Sequence, residues 1–214
     1  MTENQPVALT RGHKKKARTR RLLLDAGMKV LAEKGEAFTA NNVTEVANVS
    51  VGTFYNYFED RDSLIDAITE DQLYSLSESI AAQDLADPAL RVALTAGQIL
   101  RIASSDEFLG RLILRLVTRP AIYNQVNGNL VKDIDEGFAS GRFGSGPDDT
   151  TLDQWQGLLL MTIRRIIAGA AQEDVVEKTI LRSLIGLGMK KSDAQKQVSI
   201  AMKMLSTESS ESAA

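Results

Sequence analysis

The chain has 214 residues, 43% hydrophobic and 25% charged, enough to bury a sizeable core without disulfides or metal staples. Zero cysteines exclude disulfides, thiolate metal sites and cysteine nucleophiles, and the single histidine, His13, excludes a His–His metal pair and most imidazole acid–base chemistry. The net charge of −3 is unevenly spread: the first 21 residues carry +6, leaving −9 for the rest, which suits a protein that meets nucleic acid at one end.

In chain order, residues 1–17 form a basic arm, expected to be flexible, with Lys14, Lys15 and Lys16 at its centre and Arg18 and Arg20 just beyond. Followed by no uninterrupted apolar run, this start does not have the pattern of a secretory signal, and the chain is expected to be cytoplasmic. A first helix is predicted from about Thr19 to Lys34, with Leu23, Ala26, Val30 and Leu31 as its stripe and Gly35 as its stop. The stretch FTANNVTEVANVSVGTFYNYF divides into two short helices. Thr39 caps the first, whose inward residues are expected to be Val43 and Val46; Ala47-Asn48-Val49 makes the turn, and Ser50 caps the second. Asn48 suits that turn because asparagine tolerates a left-handed backbone.

At about 100° per residue, Phe54 and Phe58 share the inward face of the second helix, while Gly52 and Asn56 point away, flanked by Thr53 and Tyr55. A small residue beside an amide and hydroxyls makes a surface that can approach a duplex closely. Two short helices around a three-residue turn form a helix-turn-helix, whose second helix enters the major groove. From Asp60 a long helix is predicted to about Ile80, followed by helices near 88–103, 106–118, 121–140, 150–171, 174–187 and 192–205, and then a disordered tail at 206–214. The expected fold is all-α, with a helix-turn-helix head at 18–62 and a larger helical body at 63–205.

Residues 18–66, and VSVGTFYNYFEDRDSL above all, resemble the DNA-binding head of the TetR family of transcriptional regulators. The resemblance implies a homodimeric regulator, more often a repressor, that binds a palindromic operator and is released by a small-molecule effector. It assigns Thr39, Tyr55, Tyr57 and Arg61 to phosphate, and Ser50, Val51, Gly52, Thr53 and Asn56 to the groove. Two departures stand out: Asn48 replaces the usual glycine, and Val51 occupies a position that is often polar.

In the body, two half-sites require a two-fold protein, and the apolar girth of TTLDQWQGLLLMTIRRIIAGAAQ and VVEKTILRSLIGLGM supplies the interface expected from Leu159, Ile163, Ile166, Ile167, Ile180 and Leu184. An effector cavity is expected to draw on Arg101, Phe108, Arg119, Tyr123 and Trp155, with Arg111 and Arg115 also available to an anion. No cofactor, metal or membrane partner is expected, and no catalytic residues. Two other classes remain open on the residues alone: a helical protein-interaction module without sequence-specific DNA binding, and an all-α enzyme using paired carboxylates.

Overall fold

A computed structural model describes residues 11–117, 128–144, 146–148, 150–170 and 174–211. Among the described residues there are ten α-helices and no strand, and the chain divides into two compact units, Met1–Ile68 and Thr69–Ala214. The fold is all-helical with a helix-turn-helix head, as the residue pattern predicts. No helix among the described residues is long and apolar enough to cross a membrane.

In the first unit, α1 spans Arg11–Lys34, eight residues longer at its start than expected, so the basic segment from Arg11 onward is helical rather than a flexible arm. The buried stripe of α1 begins only at Leu23 and continues through Leu24, Ala26 and Val30. Gly35, at φ +58°, turns the chain out of α1 into a short 3-10 turn. Next come α2 (Ala40–Ala47) and α3 (Val51–Tyr55), and α4 (Arg61–Ala81) begins in this unit and ends in the other. The head's buried residues include Leu23, Val43, Phe54 and Leu64 from its four helices, Phe38 from the chain before α2 and Phe58 from the connection between α3 and α4. Gly27 permits the close approach of α1 to α4, since a Cβ there would stand 2.8 Å from Ile68 Cδ1. Val46 departs from expectation: it is 49% exposed, and Thr44 is buried in its place. With α2 only two turns long, the helix rotates to bury Val43 with its neighbour rather than the residue three positions on.

In the second unit, α5 (Pro88–Ser105) is the central helix, packed by α6 (Glu107–Val117), α7 (Gly128–Ala139), α8 (Thr151–Ile167), α9 (Val175–Gly186) and α10 (Lys191–Glu211). Small residues explain this: Ala89, Ala93, Ala96 and Gly97 let neighbouring helices come close, and a Cβ on Gly97 would overlap Leu205 of α10. The final helix runs six residues into the tail that was expected to be disordered.

Two arginines tie this unit together. Arg91, nearly buried on α5, donates to Asp133 (2.7 Å) and Glu136 (2.5 Å) of α7 and to the Leu85 carbonyl. Arg142 clamps Asp87 with three bonds, Nε to Oδ1 at 3.0 Å and to Oδ2 at 3.1 Å and Nη2 to Oδ2 at 2.8 Å, while Asp87 caps α5 through the Ala89 N–H. Burial pushes against the Asp87 charge, yet the bonds from Arg142 and the Ala89 amide hold its carboxyl below the usual value.

Candidate nucleic-acid interface

The head's outer surface is built by caps. Thr39 Oγ1 accepts from the Asn42 N–H at the start of α2, and the Asn42 side chain accepts in return from the Thr39 N–H, so two orphan donors are satisfied reciprocally. At its other end Asn48 adopts φ 52°, ψ 50°, the left-handed conformation that the turn demands and that asparagine supplies in place of glycine. Ser50 then starts α3 by accepting from the Thr53 N–H at 3.1 Å, and its hydroxyl also bonds Thr53 Oγ1 at 2.8 Å. Asp60 and Ser63 exchange bonds at the start of α4.

Those caps fix which way α3 faces. Phe54 is fully buried, with its ring 5.8 Å from that of Phe58. Val51, Gly52, Tyr55 and Asn56 are all exposed on the other side; Thr53 and Tyr57 are half-buried. Tyr55 is 57% exposed, although its ring meets the Phe54 edge at 5.3 Å. A chain this poor in aromatics therefore concentrates them at α3 for two purposes: phenylalanines anchor the short helix, and tyrosines flank an exposed amide. What the surface offers is a row of hydrogen-bonding groups and apolar methyls around a glycine, with no pair of acids to act as catalysts. Nor do the described residues hold any His/Cys/Asp/Glu cluster fit for a metal.

Some assigned phosphate contacts carry competing partners. Arg61 bonds Asp62 through Nε and Nη2 (3.3 and 3.2 Å) and lies over the Phe38 ring, so it must trade that carboxylate for a phosphate. The Thr39 hydroxyl is committed to Asn42, leaving lone-pair rather than donor capacity. Arg20 stacks over Phe58 at 5.9 Å, whereas Lys14, Lys15, Lys16 and Arg18 are exposed on α1.

In the second unit the described residues assigned to ligand have other surroundings. Arg101 donates to the Leu205 carbonyl, Phe108 is half-buried on α6, Trp155 is core, and Arg119 and Tyr123 lie outside the described residues. A cleft of about 380 Å³ instead lies among α4, α5 and α6, with Thr69, Gln72, Ser75 and Ser79 at its polar side and Leu73, Ile102, Leu109 and Ile113 at its apolar side. Serines and threonine on a helix carry no periodic apolar signal, which is why the sequence pattern passes over them.

The interface residues need a similar correction. Leu159, Ile163, Ile180 and Leu184 are buried within this chain's own core, and Ile166 and Ile167 pack half-buried beside Ile163. The outer face of α8 and α9, which are joined by a Thr162–Thr179 hydroxyl bond, carries Met161 (54% exposed) and Ile185 (39%). Between the two helices runs an open groove of about 660 Å³ that meets Ile185, Leu158, Leu181, Lys178 and Arg182.

The family model of the bacterial regulatory proteins of the tetR family matches residues 23–68. Among solved structures, RolR in complex with resorcinol gives a TM-score of 0.71 at 25% identity, covering 87% of this chain and 95% of RolR. RolR without ligand gives 0.69 at 24% identity, covering 84% and 96%. FadR of Bacillus subtilis in complex with stearoyl-CoA shares the fold at a TM-score of 0.56 and 18% identity, covering 78% and 98%. No curated protein matches. The matched segment runs from the first buried residue of α1 to the end of the head and encloses the capped, glycine-centred face of α3: the head is a DNA-binding domain of the tetR family of bacterial regulatory proteins, and the fold of the chain is similar to that of RolR.

Proposed function

We propose that the chain is a homodimeric repressor that reads a palindromic operator with α3 of each protomer and leaves it when a small molecule occupies the second unit. Gly52 is the observation that carries the reading half of this proposal. It sits in the first turn of α3, exposed, and a Cβ there would meet nothing nearer than Ser50 Oγ at 3.8 Å, so the fold itself has no need of a glycine. A glycine that costs helix stability and answers no internal contact is accounted for by close approach to an outside body. Asn56 on the same helix offers the donor–acceptor pair that can bind adenine bidentately, with Ser50, Val51 and Thr53 as its companions in the groove, while Tyr55, Tyr57, Thr39, Arg61, Arg18 and Arg20 are the candidates for phosphate.

Gly52→Ala should separate fold from function. Thermal unfolding should show the variant as stable as the parent or more so, by up to about 1 kcal/mol from helix propensity. Affinity for the operator should fall. A variant that binds as tightly as the parent would remove close approach as the reason for the glycine.

The effector half rests on the α4–α5–α6 cleft. None of its lining side chains is charged, so it suits a compact uncharged molecule bearing hydroxyls over an apolar body. RolR was solved with resorcinol and FadR with stearoyl-CoA, so similar folds take quite different ligands. Because α4 is one continuous helix from the Asp60 cap to the cleft wall, a ligand that prefers one setting of that helix shifts operator affinity by its differential binding. Selecting bound duplexes from a random pool tests the whole reading: a palindromic consensus is expected, and compounds can then be screened for releasing it. Selected duplexes without two-fold symmetry would contradict the homodimeric reader.

A further inference from the structure

The first part of α1 belongs to no core. Residues 12–18 are all exposed, and the stretch lies ahead of both the first buried residue, Leu23, and the family match at 23–68. Its twelve positions from Arg11 to Leu22 extend about 18 Å as helix. Such a segment ordinarily persists through favourable side-chain pairs, but here the pairs repel. Lys14 stands four residues from Arg18 and Lys16 four from Arg20, and the first turn holds no acid to match the positive end of the helix dipole. Among the described residues no ion pair neutralises Lys14, Lys15, Lys16 or Arg18.

The cations also surround the rod. At about 100° per residue, Lys14 and Arg18 lie on the side away from the Leu23–Val30 stripe, Lys15 lies on its flank near the line of Ala26, and Lys16 and Arg20 follow the core side. The Arg20 stack on Phe58 fixes that core side next to the end of the α3 surface.

We infer that this extension is a second DNA-binding element: a helix held in place by the duplex, lying between two rows of phosphates beside the half-site and touching both. The inference rests on the DNA-binding reading of the head, with which the extension is continuous through Arg20 and Phe58. A helix basic on one side would lie along a single strand. Cations on opposite sides match phosphates on opposite sides, and a rod about 10–12 Å across fits the major groove, about 12 Å wide, but not the minor, about 6 Å. Contacts from lysine and arginine to phosphate read no base, so the extension adds affinity without sequence preference.

The test uses the full chain, a random-sequence duplex and the selected operator, each titrated over a range of salt. The variants are Lys14→Gln/Arg18→Gln, Lys16→Gln/Arg20→Gln, and Lys16→Gln alone, which keeps Arg20 on Phe58 and so guards against a folding defect. Every variant is expected to lose affinity by the same factor on both duplexes, and the log–log salt slope should fall by about one unit per cation removed from each chain. Amide exchange in residues 12–20 should slow when the random duplex is added. Losses confined to one side of the helix would overturn the two-row arrangement. Unchanged slopes in all variants, with operator binding intact, would remove the extension from the interface and leave the α3 reading standing. Failure of the parent chain to bind either duplex would overturn both.

Discussion

Replacing Arg91 with alanine is expected to destabilise the protein by roughly 3–5 kcal/mol, because it strands a buried carboxylate. Arg91 is 9% exposed and so is Asp133, its partner at 2.7 Å, while the Glu136 side chain reaches half into solvent and can rehydrate. The loss also has a pH signature. Burial pushes the Asp133 carboxyl above its ordinary value even with Arg91 beside it. A carboxyl raised in the folded state holds its proton more readily than in the unfolded chain, so its contribution to stability is full in acid and is lost as pH rises through the folded value. Without Arg91 the carboxyl moves up further, and the penalty should shrink as pH is lowered from neutral. Asp133→Asn in the Arg91→Ala background should restore part of the loss. Urea unfolding at neutral and mildly acidic pH measures all of this; a pH-independent penalty under about 1 kcal/mol would show that the pair is not what joins α5 to α7.

Ile185→Glu, alone or with Met161→Glu, is expected to abolish dimerisation while leaving the fold intact. Both side chains are exposed in the single chain, so a carboxylate there disturbs no internal packing. On the proposed dimer it would take a carboxylate out of water at the exposed apolar side chains through which α8 and α9 would meet their counterparts. Sedimentation should show a monomer, and operator affinity should fall on the order of a thousandfold, toward what one head achieves without its twin. Leu184→Glu would not serve, because Leu184 is core and its loss would unfold the chain. A variant that stays dimeric would place the interface elsewhere.

How much of this was legible in the residues depended on whether the signal was local. Caps and turns were: Thr39, Asn48, Ser50 and Asp60 each act within three or four residues, and each does what its side chain predicts. Pro88 opens α5 and Gly188 follows α9, where breaks were expected, whereas the break expected at Pro120 lies outside the described residues. The side on which each long helix buries itself was not legible, since α8 is apolar around much of its girth and periodicity cannot say which stripe meets its own chain. Leu159 and Ile163 turned inward, leaving Met161 outside. The same limit hid the cleft, whose polar side comes from α4 and whose apolar side comes largely from α5 and α6. The basic segment was misjudged for another reason: repelling cations argue for an unstructured arm, yet α1 runs straight through them.

The most direct test of the α3 surface is the affinity of Asn56→Ala for the selected operator and for a random duplex of the same length. Asn56 is exposed at the end of α3 and only its backbone N–H serves the helix, so the protein should fold unchanged. A loss of about 1–3 kcal/mol on the operator is predicted, with the preference relaxed at one base pair of each half-site and binding to the random duplex unaltered. Equal losses on the two duplexes, or none on either, would contradict base reading by this face.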